Sequence, residues 1–143
     1  MSDLVALTRV YGLPVAQGRP RAFRLPTGQI RMYDPIRSRE WKRAVALRVS
    51  QQKPASGAWP VAGDVPLDLR LDFFMPIPKS MPKKQAQHGH AHTSRPDVDN
   101  LTKSVLDALR GVVYTDDAQV WSLTARKLYG AEPGVAIVVK AVH

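Results

Sequence analysis

The chain has 143 residues, with 21 lysines and arginines against 12 aspartates and glutamates, a net charge of +9 and no cysteine. That length fits one domain, and a 44% hydrophobic share suffices for a core, which excludes a wholly disordered chain. Disulfides, thiolate metal sites and thiol nucleophiles are excluded, and no apolar run approaches the ~20 residues needed to span a bilayer. With no signal-type apolar core at the N-terminus, a cytoplasmic location is expected. The positive surplus points to a polyanion, nucleic acid above all.

Residues 4–10 read as a first strand, ended by Gly12 and Pro14. Residues 17–28 hold Arg19, Arg21 and Arg24 among glycine and proline and read as a basic loop, followed by a short strand over 30–33. Asp34-Pro35 opens a helix, with Asp as N-cap and Pro at the first helical position. Ser38 is a later candidate for the cap. Trp41, Val45 and Val49 recur every four residues and mark its apolar face; the helix ends near Gln52. A Pro/Gly/Ala loop over 54–63 leads to a strand over 66–75 with Leu67, Leu69, Leu71 and Phe73 on one side. Residues 76–96 read as a long basic, proline-rich loop. A helix over 100–110 stops at Gly111, a short strand over 112–115 reaches Asp116-Asp117, and strands over 119–129 and 134–142 close the chain. The expected fold is a small α+β domain with a mixed sheet of four to six strands and two main helices.

The stretch SRPDVDNLTKSVLD, residues 94–107, places three aspartates in a strongly basic chain. In an extended segment Asp97 and Asp99 point to the same side, where two carboxylates repel unless a cation or proton sits between them. Asp99, Lys103 and Asp107 follow at helical spacing as a polar stripe opposite Leu101, Val105, Ala108 and Leu109. The plainer reading makes Asp99 an N-cap with an ordinary Asp–Lys pair. A helix of about 11 residues advances ~16 Å, and a five-residue strand returns about as far. One of Asp116 and Asp117 then rejoins the start of the helix; periodicity leaves open which. Three aspartates without His or Cys suit Mg²⁺ or Mn²⁺, which lowers the pKa of bound water and polarises a phosphate.

RPDVDNLTKSVLDAL followed by GVVYTDDAQV resembles the RusA family of Holliday-junction resolvases, often encoded by prophages. The shared pattern is D-x-D-N-L-x-K, a D-A-L helix end and D-D-x-Q-V after a short strand. GLPVAQGRPR and the later helix, strand and proline-rich loop match the family in outline. The resemblance implies that Asp97, Asp99 and Asp117 are the catalytic, metal-holding carboxylates and Lys103 the catalytic lysine. It makes Asn100 structural at the helix start and leaves Asp107 and Asp116 without a settled role. It also implies a homodimer that uses Mg²⁺, with Mn²⁺ substituting, to cut four-way junctions in symmetric pairs, leaving nicks with 5′-phosphates.

Arg19, Arg21 and Arg24, with Lys79, Lys83 and Lys84, are expected on the DNA backbone. His88, His90 and His92 read as a polar loop rather than a zinc site, and Phe73 as core. Tyr114, Thr102 and Ser104 have no nearby base, so a covalent mechanism is not expected. The rival functions are a nuclease for other branched or flap DNA and a catalytically silent nucleic-acid-binding module.

Overall fold

The computed structural model describes residues 2–18, 21–33, 35–81 and 89–143, leaving out the side chains of Arg21 and Tyr33. Arg19, Asp34, Lys83, Lys84 and His88 lie outside the described residues.

The strands are β1 (Ser2–Tyr11), β2 (Arg21–Arg24), β3 (Ile30–Tyr33), β4 (Leu67–Met75), β5 (Val120–Tyr129) and β6 (Gly134–Val142). The helices are α1 (Ile36–Ser50) and α2 (Val98–Leu109). Four strands form one sheet in the order β1-β6-β4-β5, and β2 and β3 pair as a separate hairpin. β6 runs antiparallel to β1 and β4, whereas β5 runs parallel to β4. A parallel neighbour requires a crossover, and α2 lies within it. The result is the expected small α+β domain.

Alternation decides which face of the sheet is covered. Leu67, Leu69, Leu71 and Phe73 of β4 are fully buried and cluster with Val135, Ile137 and Val139 of β6. The helices close this core with Trp41, Val45 and Val49 from α1 and Leu101, Val105, Ala108 and Leu109 from α2. Phe73 is therefore core. The intervening β4 residues Asp68, Arg70 and Asp72 lie on the other face, where Arg126 donates to Asp72 at 2.9 Å. A sheet of mostly antiparallel strands tolerates one watered face. Gly134 pairs with Tyr11 so closely that a Cβ there would sit 2.2 Å from the Val10 carbonyl oxygen.

Several boundaries differ from the sequence reading. The basic 17–28 segment is not all loop: Arg21–Arg24 is a strand paired with Ile30–Tyr33. Two short runs joined by a Gly-containing turn can close a hairpin whatever their charge. α1 begins one residue late, with Pro35 at the N-cap and Ile36 first, and Ser38 is buried within it rather than capping it. α2 begins at Val98, earlier than expected. Residues 112–115 form a turn rather than a strand.

Candidate active site

Two acidic spots sit at opposite ends of α2. At its start, Asp97 is the N-cap in extended geometry and Asp99 lies in the first helical turn. The two are therefore not both extended, and the cap is Asp97, not Asp99. Carboxylates here are favoured by the helix dipole. The Asp97 side chain makes no capping hydrogen bond, so its oxygens stay available. Both residues are exposed, as is Lys103 one turn on. Among the described residues neither carboxylate forms an ion pair with Lys103 or any other cation. Asp107 is committed elsewhere: it accepts from Lys42 Nζ of α1 at 3.0 Å.

The start of α2 is pinned from outside. Lys127 Nζ of β5 donates to the carbonyls of Ser94 (2.6 Å) and Pro96 (2.8 Å), directly before Asp97. The Gln17 amide donates to the Asn100 carbonyl at 2.9 Å, so Asn100 ties the helix start to the segment leading into the hairpin.

The second spot is built on a turn. Gly111 takes φ +82, the left-handed position that ends α2. Its amide bonds the Tyr114 carbonyl at 2.7 Å, and the Val113 amide bonds Leu109 at 2.9 Å. Asp116 then caps a short 3-10 turn over Asp117–Gln119, accepting from the Ala118 amide at 3.1 Å. The buried Gln119 holds this turn together. Its Oε1 accepts from the amides of Thr115 (2.8 Å) and Asp116 (3.0 Å), and its Nε2 donates to the carbonyls of Ala62 (2.7 Å) and Val65 (3.2 Å).

Asp117 is the partly buried member. Burial raises its pKa, and the negative charges of Asp107 and Asp116 add to this; the positive charge of Arg110 opposes it. Tyr114 is also raised, by its own burial first and then by Asp117. Its hydroxyl has one hydrogen and donates it to the Leu106 carbonyl at 2.8 Å. Asp117 Oδ1 is left buried with no hydrogen-bond partner.

The expected meeting of three carboxylates within one chain does not occur. Among the described residues no three Asp, Glu, His or Cys groups gather closely enough to hold a metal ion. Asp117 stands beside Tyr114, Asp107 and Arg110, and Leu106 lies about 10 Å along the axis from Asp99 at 1.5 Å per residue. The five-residue strand that was to bring Asp117 back is a tight turn, too short to span that distance. Between the two spots, Val98, Asp99, Thr102, Lys103 and Leu106 of α2 and Leu123 and Ala125 of β5 line an open groove of about 380 Å³.

A family model described as "Endodeoxyribonuclease RusA" matches residues 12–140. The chain belongs to the RusA family. It is 40% identical over 146 residues to the uncharacterized protein YqaN of Bacillus subtilis (strain 168), covering 98% of both chains. It is also 34% identical over 80 residues to the crossover junction endodeoxyribonuclease rusA of Lactococcus phage r1t, covering 55% of this chain and 57% of that one. The RusA match spans both acidic spots, the hairpin and the pinning residues Lys127 and Gln119.

Of the basic residues expected on DNA, Arg24 is exposed on β2 and Lys79 is exposed after β4; Arg21 lies on β2 with its side chain left out, and Arg19, Lys83 and Lys84 lie outside the described residues. His90 is exposed. His92 packs edge-on against Tyr129, its pKa lowered by burial and then by Lys127. Residues 89–92 bond to Lys127 and Tyr129, covering the far end of β5. Lys127 carried no sequence signal, because its partners lie 31 and 33 residues away. Gln119 stands in the D-D-x-Q-V segment, and a buried amide beside an acidic pair is the signal that could have assigned it a bracing role.

Proposed function

We propose that the protein resolves four-way DNA junctions as a homodimer, by metal-dependent hydrolysis of two symmetry-related phosphodiesters. The observation that carries this reading is the open Asp97–Asp99 pair, with Lys103 above it, in a basic chain of the RusA family. The oxygen-only donors and the orphaned Asp117 Oδ1 fit a hard divalent ion, yet one chain does not assemble them. A second copy supplies what is missing. With two copies of α2 antiparallel across a two-fold axis, Asp117 of the partner subunit meets Asp97 and Asp99, and both sites form at once. The β5 edge supports such pairing: it is the outer strand of its sheet, with Trp121 66% and Leu123 44% exposed next to the groove.

Bound there, Mg²⁺ or Mn²⁺ would supply an activated water and a polarised phosphate. The chain's own residues do the rest. Asp97 and Asp99 present carboxylates held in place by the α2 cap and Lys127. Lys103, one turn on, places an ammonium against the charge developing on the phosphate. Arg24, Lys79 and the other basic residues neutralise the backbone on either side. Water adds to phosphorus and the bond to the 3′ oxygen breaks, leaving a 5′-phosphate and a 3′-hydroxyl. The two-fold symmetry of the dimer gives paired cuts.

A synthetic four-way junction and a matched linear duplex, each with Mg²⁺ or EDTA, test this reading. Symmetric nicks are expected on the junction alone and only with metal. Binding without nicking in any condition would favour a silent binding module. Lys103→Ala is expected to slow single-turnover cutting about 100-fold with junction affinity changed less than about threefold. If affinity falls and the bound rate holds, Lys103 only clamps phosphate. Lys127→Met keeps the aliphatic stem but loses both carbonyl bonds. It should slow cutting about tenfold at unchanged affinity and melting temperature, with Lys127→Arg recovering part of the rate.

A further inference from the structure

The β2–β3 hairpin stands as a separate two-stranded sheet, and none of its described side chains joins the hydrophobic cluster. Yet it exposes large apolar side chains: Ile30 is 63% exposed and Met32 62%. The register explains how they are arrayed. Ala22 faces Met32 and Arg24 faces Ile30, so these four share one side; Phe23 faces Arg31 on the other. Residues 21–33 include Arg21, Arg24 and Arg31 and no acidic residue. A lone two-stranded hairpin is marginal in water, so one that exposes Ile30 and Met32 on the same side is completed there by a partner. Arginine interleaved with apolar side chains, without a compensating acid, selects a polyanion with exposed apolar faces rather than a protein surface.

The base of the hairpin sits at the active site. Gln17 is bonded to Asn100 in the first turn of α2, and Gly18 lies so close to Pro35 that a Cβ would come within 2.7 Å of its ring. Strands of four residues span about 13 Å. Building on the proposed function, we infer that the hairpin enters the branch point of the junction. Arg24 and Arg31 hold crossing phosphates, and Ile30 and Met32 press against bases unstacked there. Splayed bases at a branch offer apolar faces that a continuous duplex hides. The hairpin thereby selects branched over linear DNA and sets the distance from branch to cut.

A junction carrying 2-aminopurine at the branch point, held in EDTA, reports the unstacking without cleavage. The native protein is expected to raise its fluorescence severalfold. The double variant Ile30→Ser/Met32→Ser, altering exposed positions only, should lose that rise and bind the junction about tenfold more weakly at unchanged affinity for linear duplex. Arg24→Gln/Arg31→Gln should weaken binding to both DNAs and reduce the salt-dependence slope by about 2. The inference is overturned if the Ser variant unstacks the branch as the native protein does. It is equally overturned if sedimentation shows that variant reduced to a monomer, which would make the hairpin a self-association face. If the native protein shows no preference for the junction at all, the proposed function falls first and the hairpin's role with it.

Discussion

Asp99→Asn is expected to lower junction cutting by at least about 1,000-fold while leaving junction affinity within about twofold, measured by single-turnover cleavage and by binding in EDTA. The change keeps shape and removes charge. Asp99 is exposed in the first turn of α2, and among the described residues it supports no ion pair, so the fold loses little besides a favourable dipole interaction. Removing a negative charge from a DNA-facing surface does not weaken DNA binding. Loss of rate without loss of affinity is therefore the mark of a carboxylate that serves the reaction. A variant that cuts at the native rate would remove Asp99 from the mechanism.

Gln119→Leu should be the most damaging change outside the sheet core. The side chain is buried and satisfies two amides and two carbonyls at once. Leucine fills the volume and satisfies none of them. Leaving these groups without partners costs about 3 kcal/mol, which at this chain length lowers the melting temperature by roughly 10 °C. The same change frees the turn that carries Asp117, so cutting should fall about 100-fold even well below the melting transition. Calorimetry and a cleavage assay on the folded variant separate the two effects. A stable variant with a slow reaction would show positioning alone; a native-like variant in both respects would mean that the turn holds itself.

The main sheet and both helices were legible because their side chains obey simple periods. Leu67, Leu69, Leu71 and Phe73 alternate, and Trp41, Val45 and Val49 repeat every turn, and all seven are buried. The hairpin escaped because arginine, glycine and proline mark a loop by composition, while its pairing depends only on register. The capping of α2 by Asp97 escaped because both Asp97 and Asp99 are acceptable caps, and one residue of phase decides between them. The placement of Asp117 escaped for a further reason. Five residues after Gly111 span a helix's length as a strand and far less as a turn, and no local pattern distinguishes the two. The acidic residues were thus visible in the sequence, whereas the turn that places Asp117 beside Tyr114 and Asp107 was not.

Mixing two inactive variants tests that assembly most directly. Asp99→Asn and Asp117→Asn are purified separately, mixed in equal amounts under conditions that exchange subunits, and incubated with a four-way junction and Mg²⁺. If each site takes Asp97 and Asp99 from one chain and Asp117 from the other, a mixed dimer holds one intact site, and nicking should return to about a quarter of the native level. A mixture as inactive as its components, with subunit exchange verified, would mean that Asp117 serves its own chain or none, and the two-chain site would be wrong.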